Sequence, residues 1–358
     1  MPTIIINIID FVLNMLTVIK DIITFVIVFG IIVFFHELGH FLVAKLSGIV
    51  VYEFALGFGR TLFQKKVGPT VYSIRMLPFG GFVKLAGMDD AEYEADSVDE
   101  RHPGSFNNKP LLVRMATIAS GPLMNFVLAA AILALHAALV VIPPTIVSLE
   151  PGYPAEQAGL MVEDQVIKVN GIKVQDLDHL IGMIESSPGR NLELTVKRGG
   201  ALINVNVVPA SDGEKGIIGV GLYEKIREPL PSAVANGFSQ MWIFTRETVT
   251  AIAGMITGTV KPEVAGPIGI YQMVGDFAAL GLGSLMFLAA VLNVNLGLIN
   301  LLPIPILDGG WILIMLLEAL RGRPLKKEHR NIAQFVGLAL LLILMVWATY
   351  SDLVRLFS

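Results

Sequence analysis

Between residues 4 and 46 the chain reads IIINIIDFVLNMLTVIKDIITFVIVFGIIVFFHELGHFLVAKL, an apolar run broken by a thin set of polar positions. Asn7, Asp10, Asn14, Thr17, Asp21 and Thr24 recur at spacings of three and four, which draws one narrow polar stripe along a helix. Such a helix would be about 63 Å long at 1.5 Å per residue, roughly twice a bilayer core. The pattern therefore predicts an amphipathic N-terminal segment over 1–20 and a first membrane-spanning helix over 21–47. Further apolar runs predict spans at 111–142, 283–320 and 332–356. The mixed loop 48–110 carries Arg60, Lys65, Lys66, Arg75, Lys84, Arg101 and Lys109, and the last loop reads RGRPLKKEHR. With four spans these two basic loops share one side, which the positive-inside rule makes cytoplasmic.

Period-two patterns lie between the spans. VYSIRMLPFGGFVKLAG predicts two short strands around a Pro-Phe-Gly-Gly turn, a hairpin at about 71–86. Its apolar residues Met76, Leu77, Phe79, Phe82, Val83 and Leu85 suggest that it dips toward the membrane, against the plainer reading of a cytoplasmic hairpin. Residues 145–208 change character. A strand, a Gly-Pro loop, a short Ala-rich helix and a strand ending in Asn-Gly are followed by a helix near 176–186. NLELTVKRGGALINVNVV then alternates about a Gly-Gly turn. This is a small soluble domain. Residues 209–282 read as a linker with a helix at 231–260, whose Arg246 and Glu247 make it interfacial or groove-lining rather than spanning.

Composition narrows the picture. Of 358 residues 54% are hydrophobic and 16% charged, well below the roughly 25% of soluble proteins, so the chain is an integral membrane protein. A formal net charge of -4 argues against a nucleic-acid partner. There is no cysteine, so a metal would have to use His, Asp or Glu.

That restriction bears on His36-Glu37-Leu38-Gly39-His40 inside the first span. Positions i and i+4 share a helix face, so His36 and His40 can hold one zinc ion. Glu37 can then act as general base toward water and pass the proton to a leaving amine. Two imidazoles and a carboxylate in hydrocarbon are costly unless they function. A catalytic zinc wants a third protein ligand. Asp308 is the best candidate: it is the single charge between Leu285 and Leu317, between Pro303/Pro305 and Gly309/Gly310, at a depth matching His36. Glu53 and Glu318 are weaker competitors, one in the loop and one beside Arg321 and Arg323. Asn125, in SGPLMN, could donate to an oxyanion or substrate carbonyl, or bond between helices. Asn295, like Asn293 and Asn300, poses the same choice near Asp308. His136 reads as structural.

Taken together, HELGH at 36–40, NLLPIPILDGG at 300–310, SGPLMN at 120–125 and RMLPFGGFVKL at 75–85 resemble the site-2 protease family of intramembrane zinc metalloproteases, of the bacterial regulator-of-sigma-E protease type. The resemblance implies a polytopic α-helical membrane protein of about four transmembrane helices, with a membrane re-entrant β-hairpin and one inserted extracytoplasmic PDZ domain at 145–208. It implies Zn2+ on His36, His40 and Asp308, with Glu37 catalytic and Asn125 at the active site; a substrate-binding role for Asn295 rests on its place near Asp308 alone. Arg75, Met76, Leu77, Gly80, Gly81 and Phe82 would form a substrate-clamping hairpin, and Gly152, Tyr153, Pro154 and Ala155 a peptide-binding loop of the PDZ domain. Implied substrates are transmembrane segments of pre-cleaved single-span proteins in the bacterial cytoplasmic membrane, such as anti-sigma factors, and remnant signal peptides. Only one PDZ-like segment is found, where enterobacterial members carry two. A PDZ scaffold without activity and a metal transporter are the rival classes. Glu37 speaks against the first and the single localised cluster against the second.

Overall fold

The computed structural model describes residues 2–88, 103–261, 265–323 and 325–357. In chain order come α1 (Pro2–Leu46), β1 (Val51–Val67), β2 (Thr70–Leu85) and α2 (Leu111–Leu139). Then follow β3 (Ile142–Leu149), α3 (Pro154–Gln157), β4 (Gln165–Val169), β5 (Ile172–Lys173), α4 (Leu177–Glu185), β6 (Leu192–Arg198), β7 (Ala201–Val207), β8 (Ala210–Asp212), β9 (Lys215–Ile217) and β10 (Val220–Lys225). The chain closes with α5 (Leu230–Thr257), α6 (Pro267–Ala279), α7 (Leu282–Leu301), α8 (Asp308–Arg321) and α9 (Lys327–Phe357). These elements fall into two compact units, Met1–His136 with Val234–Ser358, and Ala137–Ala233.

In the larger unit, helical stretches long and apolar enough to cross a membrane run over Asp10–Leu46, Leu111–Leu139, Leu282–Leu301 and Glu328–Phe357. The lead-in and first span form one unbroken helix of 45 residues, because nothing in the stretch interrupts its hydrogen bonding. The apolar run 283–320 is divided. α7 ends at Leu301 and α8 starts at Asp308, with Pro303, Pro305 and a left-handed Ile306 (φ 86°) in between. Val28 and Ile32 of α1 pack with Val274 of α6 and Leu288 of α7. Ala129 and Leu133 of α2 pack with Ala290 and Val294 of α7, and Met241 and Phe244 of α5 cover that cluster. Thr248 of α5 donates to Asn295 Oδ1 of α7 at 3.0 Å, which ties the half-polar α5 to the spans. The start of α6 is capped from α9: the amides of Gly266 and Gly269 donate to the Asp352 carboxylate at 3.0 and 2.8 Å.

The strand pattern departs from the expected hairpin. The tight turn lies between Val67 and Thr70, and Pro78–Gly81 is not a hairpin turn. Residues 71–74 and 81–84 do not pair with each other; both pair with 53–56, one set on each side. Phe54 and Ala55 are buried on opposite faces of this strand, which suits an inner position with a neighbour on both edges. The link 76–80 therefore steps across a strand, with Gly80 at φ 102°. Its consequence is that 81–85 lies along an edge.

The unit Ala137–Ala233 has a sheet in the order β10-β3-β4-β6-β7, with β5 beside β4 and a separate β8-β9 hairpin. Leu192, Leu194 and Val196 of β6 alternate inward and join Ile146, Val166, Val169, Leu180, Val205 and Val207 in one core. Asp164 is buried and held by Arg198 through two bonds of 2.7 Å, and it also accepts from the Met161 amide at 2.9 Å. Burial opposes its charge, but the Arg198 guanidinium and the Met161 amide hold its carboxyl below the usual carboxylate range.

Candidate metal centre

The last three turns of α1 bring His36 and His40 to one face, and both are buried. Asp308 opens α8, where the helix N-terminus favours a carboxylate. The His36 and His40 Nε2 atoms lie 3.2 Å apart, and Asp308 Oδ2 lies 3.2 Å from the first and 3.5 Å from the second. Asp308 Oδ2 is buried and has no hydrogen-bond partner. These three atoms suit one small cation: a tetrahedral zinc with bonds of about 2.05 Å has ligand atoms about 3.3 Å apart.

The supports around the cluster fit the same use. His40 Nδ1 donates to the Thr117 carbonyl at 2.9 Å, which leaves Nε2 as the lone-pair nitrogen. A Cβ at Gly121 would strike the His40 ring, and one at Gly39 would strike the Ser120 backbone, so these two glycines set how closely α2 approaches. Asn125 is fully buried, with its Nδ2 3.3 Å from His36 Nδ1 and its Oδ1 unpartnered. Exchanging the amide N and O lets Oδ1 accept from His36 Nδ1–H and leaves Nε2 free to bind the metal. Glu37 is buried beside the strand edge; a Cβ at Gly81 would lie 2.9 Å from Glu37 Cγ and 2.8 Å from the Ala55 carbonyl oxygen.

A cavity of about 240 Å3 opens on this cluster, lined by His36, Glu37, His40 and Asp308, by Gly81, Phe82 and Val83 of the edge, and by Asn300 and Ile306. Of the residues singled out in the hairpin, Gly81 and Phe82 reach the cavity. Arg75 instead binds Glu53 at 2.8 Å and stacks 4.8 Å from the Phe82 ring centroid, while Met76 and Leu77 are exposed. Gly80 lies against Phe58. Glu53 is engaged by Ser73 and Arg75, and Glu318 by the Leu325 amide and Arg330, so neither competes with Asp308. Asn295 is held by Thr248, and Asn125 is not in the cavity wall. Asn300, one and a half turns beyond Asn295, is in it. Ile306 was missed: an isolated isoleucine in an apolar run carries no sequence signal. In the smaller unit a groove of about 390 Å3 runs along Ile181, Ile184 and residues 216–222. Tyr153 lines it, but Gly152, Pro154 and the buried Ala155 do not.

Residues 24–344 match the family model described as peptidase family M50. The chain belongs to that family. Among curated M50-like relatives, it is 32% identical over 419 residues to the regulator of sigma-W protease RasP of Bacillus subtilis, covering 95% of this chain and 99% of that protein. It is 32% identical to the zinc metalloprotease RasP of Geobacillus kaustophilus (96% and 100% covered) and 30% identical to that of Bacillus licheniformis (94% and 100%). This M50 peptidase is thus a zinc metalloprotease of the intramembrane, site-2 type. Among its described residues His36, His40 and Asp308 form a group able to hold the ion.

Proposed function

We propose that this M50 peptidase cuts peptide bonds within the membrane-spanning segments of single-span proteins already shortened outside the membrane. His36, His40 and Asp308 are its zinc ligands, and Glu37 is its general base and acid. The convergence of three ligand atoms at 3.2–3.5 Å beside a buried glutamate carries the reading. Zinc, when bound, supplies Lewis acidity toward the scissile carbonyl and the attacking water. Glu37 takes a proton from that water at its carboxylate and delivers it to the departing amide nitrogen. Asn125, first considered as an oxyanion donor, acts on His36 as a positioning residue. Residues 81–83 offer a strand edge, unpaired among the described residues, on which an unwound substrate segment can pair, main chain to main chain, within reach of Glu37. That pairing holds the scissile bond extended, a state that a helix in hydrocarbon does not otherwise reach.

The Bacillus subtilis relative's name refers to sigma-W regulation. By that likeness, anti-sigma-factor-like proteins are the first substrate class, with remnant signal peptides a second. The basic loops would face the cytoplasm of a bacterial inner membrane, with the metal centre toward that side. The 137–233 unit is read as an extracytoplasmic PDZ domain that binds peptide beside β10. Support comes from the edge position of β10 in the sheet order and the groove between it and α4.

The test is cleavage of a single-span reporter in detergent, with zinc content measured on each protein. Glu37→Gln should keep zinc and lose at least about a hundredfold in rate. Asp308→Asn should lose both zinc and cleavage. Equal cleavage by wild type and Glu37→Gln across several reporters would sink the proteolytic assignment of this site and favour a scaffold.

A further inference from the structure

A second cavity, of about 540 Å3, is unrelated to the metal centre. It lies where α2 begins, α8 ends and α9 begins, so it sits where three apolar helices meet their aqueous loops. Arg114 from α2, Arg323 from the α8–α9 link and Arg330 from α9 line it, together with Asn107 and Asn108. Among the described lining residues Glu318 is the single carboxylate, so they carry three positive charges against one negative. Glu318 is already engaged by the Leu325 amide at 2.9 Å and by Arg330 at 3.7 Å. The Nε atoms of Arg114 and Arg330 are buried and have no hydrogen-bond partner among the described residues. A guanidinium donor shut away from water without an acceptor is costly, and two around one cavity with surplus positive charge call for an anion.

We propose that this cavity binds a phosphate-bearing anion, held by the guanidinium groups of Arg114 and Arg330 with Arg323 at its mouth. Planar guanidinium forks match phosphate oxygens two at a time, which an ammonium does not. The ligand chemistry is that of an anionic phospholipid headgroup or of free phosphate. The position at helix ends suits a headgroup, whose acyl chains would lie along the exposed apolar faces. Bound there, the anion would bridge α2, α8 and α9 and brace the short helix that carries Asp308.

The test uses the full chain in nanodiscs of phosphatidylcholine, with and without a minority of phosphatidylglycerol, and reads the thermal midpoint. Wild type should gain about 3 °C or more with phosphatidylglycerol. Arg114→Gln/Arg330→Gln should lose most of that gain, each midpoint being read against the same variant in phosphatidylcholine alone. Arg321→Gln is the control, since Arg321 is exposed and outside the cavity; it should keep the gain. Inorganic phosphate titrated into phosphatidylcholine nanodiscs separates the sources. A gain there that the double variant loses assigns the site to a soluble anion; a gain with phosphatidylglycerol alone assigns it to lipid. No gain from either ligand, a gain that survives the double variant, or equal loss in Arg321→Gln overturns the proposal. Should the double variant not fold, the two single variants carry the same comparison.

Discussion

Alanine at Gly39 and alanine at Gly30 are the same chemical change on the same helix, and they should behave oppositely. A Cβ at Gly39 would lie 2.8 Å from the Ser120 carbonyl carbon and 3.0 Å from Met124 Cβ, and closer still to the Ser120 oxygen. Ordinary contact begins at about 3.4 Å. The obstacle is the backbone of α2, which cannot rotate aside, so the two helices must part by about 0.5–1 Å. Overpacking of this kind costs about 1–3 kcal/mol of stability. The loss of activity should exceed that, because the contact lies inside the metal motif. α1 carries His36, Glu37 and His40, and α2 carries the Thr117 carbonyl that orients His40. A displacement near 1 Å at reacting groups lowers rate by about a hundredfold. At Gly30 nothing lies within 4 Å of the added methyl. There alanine should leave the rate unchanged and add up to about 1 kcal/mol through helix propensity. The assay is the initial rate of reporter cleavage at matched zinc content, with thermal midpoints for both variants. A Gly39→Ala enzyme within about twofold of wild type, or a Gly30→Ala enzyme equally impaired, would refute the close-approach reasoning.

Three further outcomes follow from particular contacts. Asp164 has a folded pKa below its unfolded value, so its contribution to stability is complete above about pH 4 and is lost as pH falls through the folded pKa. Hydrogen exchange of the 192–207 strands in the full chain, corrected for intrinsic rates, should show protection falling in that acid window, and Asp164→Asn should remove the pH dependence. Ile306 holds φ 86°, a left-handed conformation that strains a β-branched residue by about 1–3 kcal/mol. Ile306→Gly should therefore leave the thermal midpoint unchanged or raised despite losing a large side chain, and a fall of several degrees would count against strain there. Asn295→Ala should lower the thermal midpoint by loosening α5 from α7 while leaving cleavage per zinc-loaded enzyme near wild type; a loss of rate at full stability would return Asn295 to the site.

Local pattern made much of this protein legible. Apolar runs announce spanning helices because each span must satisfy its own backbone in lipid, and the i, i+4 spacing of His36 and His40 already places both on one face. Asp308 could be singled out because a lone carboxylate between two prolines and two glycines has few other reasons to sit in an apolar run. The strand arrangement was not legible in the same way. The Pro-Phe-Gly-Gly stretch has the composition of a turn, yet 71–74 and 81–84 are separated by 53–56, a partner from another part of the chain. Pairing partners are set by burial of Phe54 and Ala55, and no local pattern records that choice.

The sequence by itself determined which side chains could do the chemistry: two imidazoles, Glu37, a short list of candidate carboxylates and a set of amides within apolar runs. Tertiary structure alone decided which of them meet. It drew Asp308 to the two histidines, paired Glu53 and Glu318 elsewhere, turned Asn125 onto His36 and Asn295 onto Thr248, and put the edge at 81–83 beside Glu37. The physical reason is range. Helix periodicity and solvation act over a few residues and are written in the local sequence. The convergence of residues 36 and 308 depends on how several helices and a strand pack at once, with glycines at 39 and 121 setting the spacing.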